Sequence, residues 1–178
     1  MSPPSPWVVR FAPRIGRGGT VLDVAAGNGR HTRHLRSLGY SVVAVDVDLS
    51  PMADLASDDG VELVEADLEN APWPFDARKF DGIVVTNYLH RPLLSILARS
   101  LTADGVLIYE TFAEGNEQHG RPSNPSFLLR EGELHEAFSA LTLIDYEHGY
   151  EAEPKPAVRQ RICVVAGLEK LRSSGEFA

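Results

Sequence analysis

The sequence predicts a doubly wound α/β domain, a mostly parallel sheet with helices on both faces and an antiparallel pair of strands at its C-terminal edge. Three observations carry that prediction. Short runs dominated by Val, Ile and Leu recur along the chain, as expected of strands covered on both faces. Amphipathic stretches alternate with them, which is the pattern of successive strand–helix units. The last two apolar runs alternate more loosely, which suits antiparallel strands at a sheet edge.

The elements follow in order. Strands are predicted at Val21–Ala25, Ser41–Val47, Val61–Ala66, Gly82–Thr86 and Val106–Thr111. The first helix candidate, Arg30–Leu38, sets Leu35 and Leu38 against Arg30, Arg33 and Arg36, and this short basic stripe is read as a solvated face. Ser50 before Pro51 has the form of an N-cap with proline at the first helical position. Arg91–Leu101 carries Leu93, Leu94, Leu97 and Leu101 at helical spacing, and Leu134, Phe138 and Leu141 form a later stripe. Asn70–Lys79 is short and rich in proline, which makes it a weak candidate for a crossover helix. Leu141–Tyr146 and Val158–Ala166 are the edge pair. One domain over 1–168 is expected, with 169–178 as a C-terminal tail.

The chain has 178 residues, enough for one domain with its own core. Its net charge of −8 and isoelectric point near 5.2 disfavour nucleic acid and anionic membranes as partners. No apolar run approaches the roughly 20 residues that span a bilayer. The first six residues lack the layout of a signal peptide. A single cysteine, Cys163, makes no internal disulfide. These features fit a soluble, cytoplasmic protein.

The chemistry concentrates in Val21-Leu-Asp23-Val-Ala25-Ala-Gly27-Asn-Gly29, where the first strand gives way to the first helix. Gly27 and Gly29 let the backbone turn tightly and approach a ligand. A dinucleotide fingerprint asks for a third small residue where this chain has Thr32. Asp23 would repel a pyrophosphate, whereas an ammonium group suits it. The second strand ends in Asp46, near the offset at which an acid meets ribose hydroxyls, with Asp48 as a competitor. The third ends in Ala66-Asp67-Leu68, where a carboxylate and a backbone N–H can meet an adenine. Each Asp alone could be a simple turn or cap residue. Three acids at three successive strand ends, beside a glycine loop, point instead to S-adenosylmethionine (SAM).

These residues resemble the SAM-binding motifs of class I SAM-dependent methyltransferases, which have a Rossmann-like fold. The segments Thr86-Asn-Tyr-Leu-His90-Arg-Pro92, Tyr109-Glu-Thr-Phe112 and Gly120-Arg-Pro-Ser-Asn-Pro125 further resemble small bacterial members of the tellurite-resistance and thiopurine types. The resemblance implies that Asp23, Ala25, Gly27, Gly29 and Arg30 hold the methionine moiety, and that Asp46 and Val47 meet the ribose. It implies that Asp67 and Leu68 take the adenine, with the Thr86–Asn87 backbone completing the ammonium site.

An acceptor would then sit above the fourth and fifth strand ends. Asn87, Tyr88 and His90 are the catalytic candidates; His90 is a general base by its ordinary pKa, or a structural hydrogen-bonder. Tyr88 or Phe112 can face a sulfonium. Arg91, Tyr109, Glu110, Asn116 and Arg121 are candidate substrate contacts, with the opening of its helix as the alternative role for Arg91. Ala113–Ser126 reads as a long loop and candidate lid. No metal site is expected: His31 and His34 share a helix face without further ligands. The expected activity is methyl transfer from SAM to a small-molecule acceptor, leaving S-adenosylhomocysteine (SAH). The alternatives are an RNA-directed methyltransferase, a non-catalytic SAM-binding module and, disfavoured by Thr32 and Asp23, a nicotinamide-dependent oxidoreductase.

Overall fold

The computed structural model describes residues 2–167, so the predicted tail at 169–178 lies outside the described residues. Seven strands form one sheet in the order β3-β2-β1-β4-β5-β7-β6. They are β1 Thr20–Val24, β2 Ser41–Asp46, β3 Val61–Glu65, β4 Phe80–Thr86, β5 Leu101–Phe112, β6 Thr142–Glu151 and β7 Ala157–Val165. The first five run parallel. β7 inserts antiparallel between β5 and β6, so β7 alone is reversed and β6 forms the outer edge.

Side-chain alternation sends each strand's apolar residues to two separate layers. Val21, Val42, Val84, Val106, Ile108 and Cys163 face one layer, with Trp7, Phe11 and Leu35. Leu22, Val43, Ile83, Leu107, Tyr109 and Ile162 face the other, with Leu97, Leu134 and Phe138. Near-continuous apolar stretches in β1, β2, β4 and β5 are the direct consequence, whereas the edge strands β3 and β6 keep exposed polar residues.

Among the described residues four short α-helices cover the sheet: α1 Pro6–Phe11, α2 Arg30–Ser37, α3 Leu94–Arg99 and α4 Glu133–Ala137. The sequence reading had no counterpart for α1. Ser5 caps it by accepting from Trp7 N, with Pro6 at its first position, and the Trp7 indole donates to Ile162 O at 3.2 Å. The chain after α1 packs on β4 so closely that a Cβ at Gly82 would lie 2.4 Å from Ile15 Cδ1. Glycine at that position is a packing requirement.

Several boundaries differ from expectation. Residues 50–57 form a 3-10 helix whose N-cap is Leu49, without a side-chain cap bond, so Ser50 is its first residue rather than its cap; Ser50 N donates to Asp48 Oδ1 at 2.9 Å. The predicted helix at Arg91–Leu101 is a 3-10 turn, Arg91–Leu93, followed by α3, while Leu101 already belongs to β5. The basic stripe on α2 is partly paired, Arg33 with Asp54 and Arg36 with Asp58. No helix occurs between β3 and β4, as the proline content of that stretch implies. Among the described residues no helix is long and apolar enough to cross a membrane.

One buried ion pair ties the reversed strand into the sheet. Glu110 on β5 and Arg161 on β7 are register partners, and Arg161 Nε donates to Glu110 Oε2 at 2.6 Å. The Glu110 side chain is only 6% exposed, and Arg161 also pairs with Glu151. Removing one partner of such a pair strands a buried charge. Arg161→Met is therefore expected to lower stability by about 3 kcal/mol in urea unfolding, with the double variant Arg161→Met/Glu110→Gln regaining part of that loss.

Candidate active site

The parallel strands bring their carboxyl ends to one edge, and the chain reverses its winding between β1 and β4, both neighbours in the sheet. That switch point is where open α/β sheets bind ligands. The turn from β1 into α2 passes through left-handed backbone at Ala25 (φ 51°), Gly27 (φ 59°) and Gly29 (φ 74°). The two glycines serve different ends. A Cβ at Gly29 would collide with Arg33 and Met52 below 3.0 Å, whereas a Cβ at Gly27 would meet nothing within 4 Å. Gly29 is demanded by packing; Gly27 leaves open space. Ala25 holds a conformation unfavourable for a residue with a Cβ.

Beside this turn lies a cavity of about 410 Å³. Of the expected cofactor residues, Ala25, Asp46, Val47, Asp67 and Leu68 line it, together with Tyr88. Ala66, Glu69 and Asn70 complete the wall; they were not among the expected site residues, although their place after β3 is a signal in itself. Asp46 Oδ2 accepts from Gly27 N at 2.8 Å and Oδ1 from Asp48 N at 3.1 Å, so the end of β2 holds the glycine turn in place. Asp67 accepts from the amides of Glu69 and Asn70 and from Asn70 Nδ2. These bonds hold its carboxyl below the usual range. Both acids thus combine the turn-residue role with a place in the cavity wall.

Asp23, Gly27, Gly29, Arg30 and Asn87 stand outside that lining. Asp23 falls on the same side of β1 as Val21 and is 1% exposed. Its Oδ2 accepts from the Thr32 hydroxyl at 2.6 Å. The Thr32 that departs from a dinucleotide fingerprint is therefore the partner of Asp23. Burial, opposed by the Thr32 bonds, pushes the Asp23 carboxyl up to about 6. Arg30 donates to Pro3 O at 3.2 Å and ties the N-terminal segment to α2. His31 does the same from its buried position, accepting from Ser5 N at Nε2 and meeting Thr86 Oγ1 at Nδ1. Burial depresses its pKa to about 3, so the ring is neutral, with Nδ1–H directed to Thr86.

The residues after β4 and β5 divide into two groups. Asn87, at φ 55°, accepts at Oδ1 from Arg159 Nη1 at 2.6 Å, and Arg159 lies 4.1 Å over the Phe112 ring. Sequence reasoning missed Arg159, because only the insertion of β7 beside β5 brings it near Asn87. His90 is half-buried and leads into the 3-10 turn, with Leu93 N bonded to its carbonyl. The Tyr88 phenol is pushed up to about 12 by burial and by the Glu69, Asp67 and Asp46 carboxylates, so it is a proton donor rather than a base at neutral pH.

Four of the five candidate substrate contacts are committed to internal bonds. Arg91 binds Glu133 through Nε and Nη2 and the carbonyls of Ser126 and Leu128; it clamps a loop rather than facing a ligand. Tyr109 is buried and donates to Tyr88 O at 2.8 Å. Glu110 belongs to Arg161. Asn116 is buried, bonded to Pro122 O and Val158 N. Arg121 lines a separate cavity of about 470 Å³ with Pro122, Asn124 and Phe127. The expected lid at 113–126 contains two 3-10 turns, at Asn116–Gln118 and Pro125–Phe127. Its flanks are bridged at Ala113 and Leu129. It is an anchored excursion, not an unstructured flap.

Comparison with known proteins agrees with this geometry. Residues 21–105 match the family described as "Methyltransferase domain". No protein of curated function matches the chain. Among solved structures, TehB from Haemophilus influenzae superposes with a TM-score of 0.73 at 20% identity, covering 89% of this chain. This chain covers 60% of TehB. The 1,6-didemethyltoxoflavin-N1-methyltransferase of Burkholderia thailandensis, solved with that molecule and SAH, gives a TM-score of 0.68 at 21% identity, covering 91% of this chain and 77% of its own. A TehB-like SAM-dependent methyltransferase from Corynebacterium glutamicum gives 0.59 at 23% identity, with 86% and 85% covered. At these identities the likeness is one of fold.

The raised Asp23 pKa has a measurable consequence. Folding favours its protonated form, so its contribution to stability is full below its ordinary 3.8 and is lost as pH rises through about 6. Between pH 4 and pH 7 the native protein should lose about 2–3 kcal/mol relative to Asp23→Asn. Paired urea titrations at the two pH values measure it; an unchanged difference would mean Asp23 is not destabilised as an anion.

Proposed function

We propose that this chain is a class I SAM-dependent methyltransferase that transfers the methyl group of SAM to a small-molecule acceptor above the ends of β4 and β5, a reading supported by the match of residues 21–105 to a methyltransferase domain and by the fold. The observation that carries the reading is the cavity at the switch point, walled by Asp46 and Asp67 from two successive strand ends and opening beside Gly27. The donor set fits an adenosyl group. Carboxylate oxygens accept from ribose hydroxyls and an adenine amino group. Val47, 66% exposed at the cavity wall, offers an apolar surface to a base. The three carboxylates of that wall oppose a pyrophosphate.

In this reading Asp46 holds the ribose hydroxyls while anchoring the glycine turn. Asp67 and the Leu68 amide hold the adenine. The left-handed turn through Ala25, Gly27 and Gly29, with the Thr86–Asn87 backbone, receives the methionine moiety; Asp23 supports it from behind through Thr32. The bound sulfonium supplies a methyl carbon already activated for in-line displacement, so the protein's share is orientation and electrostatics. Asn87, fixed by Arg159, and the imidazole of His90 stand at the acceptor's end. His90 takes a proton where the acceptor carries one. A small acceptor is supported by the net charge of −8, which opposes binding to a nucleic-acid backbone.

Titration calorimetry with SAM and SAH, with NADH as control, tests the proposal on the native protein and on Asp46→Ala. Both SAM ligands should bind at micromolar concentration and NADH should not. Loss of the Asp46 hydrogen bonds to ribose should weaken SAH binding by roughly 10- to 100-fold. Absence of SAM and SAH binding by the folded native protein would overturn the reading.

A further inference from the structure

The Tyr88 hydroxyl is a buried polar atom with no hydrogen-bond partner, and the residue lines the strand-end cavity. Its backbone is firmly placed. Asn87 N donates to Glu110 O at 3.0 Å, and the buried Tyr109 donates its hydroxyl to Tyr88 O at 2.8 Å. The left-handed turn at Asn87 then delivers Tyr88 to the cavity from β4, across from the residues that follow β2 and β3.

Nearby acceptors do not take the proton. Asp46 is bonded by Gly27 N and Asp48 N, and Asp67 by Glu69 N, Asn70 N and Asn70 Nδ2. Burial together with these carboxylates keeps the phenol protonated at neutral pH. A buried donor without a partner destabilises the ligand-free protein. It becomes favourable when a bound molecule presents an acceptor.

We propose that Tyr88 is a nucleobase-recognition residue, its hydroxyl donating to a ring nitrogen of the purine of the bound nucleoside. The inference rests on the cofactor reading above. A ring nitrogen is an acceptor that carboxylates cannot satisfy, whereas ribose hydroxyls are matched by Asp46. The apolar wall formed by Ala25, Val47, Ala66 and Leu68 suits a flat base beside that donor. Tyr88 thereby selects a purine over a base without an acceptor at that place.

The test measures calorimetric affinity for SAH and for its 1-, 3- and 7-deaza analogues, with the native protein and with Tyr88→Phe. Tyr88→Phe should weaken SAH binding by about threefold to tenfold, as expected for one neutral hydrogen bond. One deaza analogue should bind the native protein more weakly by a similar factor, and Tyr88→Phe should add nothing to that loss. The urea midpoint of ligand-free Tyr88→Phe should equal or exceed the native midpoint, because an unsatisfied hydroxyl has been removed. Equal SAH affinity in Tyr88→Phe overturns the proposal, as does a lowered ligand-free midpoint. A full Tyr88→Phe penalty with all three analogues also overturns it. These outcomes leave the cofactor reading standing; failure of the native protein to bind SAH overturns both.

Discussion

The constraint on which the rest depends is that the inner parallel strands β1, β2, β4 and β5 are covered on both faces along most of their length. Such strands can carry almost no polar side chain along their length, so polar chemistry is displaced to their ends. Because β1 to β5 run the same way, their carboxyl ends share one edge. The sheet reverses its winding beside β1, and the loops that leave β1, β2, β3 and β4 part there to leave a cavity. Its position follows from winding and strand direction rather than from any single side chain.

The same constraint sorts the buried polar groups. Three polar groups inside the layers have dedicated partners: Asp23 has Thr32, Glu110 has Arg161, and His31 has Ser5 and Thr86. Alternation determines these pairings. Val21 and Asp23 share a side of β1, so the carboxyl meets the first turns of α2 rather than the cavity. The Tyr88 hydroxyl lies at the strand ends and is unpartnered.

Charge at that edge is managed by backbone amides. Asp46, Asp48 and Asp67 each accept from main-chain N–H groups in the turns that follow their strands. Such bonds stabilise carboxylates without cations and leave lone pairs directed outward. The arginines near the acceptor end are differently placed. Arg91, Arg159 and Arg161 are held by Glu133, Glu151 and Glu110, so positive charge at this end is largely neutralised within the fold.

Much was legible in the sequence because its causes are local. The runs of Val, Ile and Leu marked the five parallel strands, since burial leaves a compositional trace, and looser alternation marked the edge pair. The glycine turn and the acids after β2 and β3 were legible because a turn needs particular residues at particular offsets. The long-range partnerships were not legible. The sequence carries no local sign that β7 would insert between β5 and β6, which gives Glu110 to Arg161 and Asn87 to Arg159. Nor does it show that Arg91 clamps Glu133 and the carbonyls of Ser126 and Leu128, or that Asp23 turns to Thr32. Those contacts join residues whose closeness depends on how layers pack. The sequence by itself determined which segments are strands and which strand-end turns border the cavity; tertiary structure alone decided which polar groups are consumed internally. Packing assigns each buried group its partner, and no spacing along the chain encodes that.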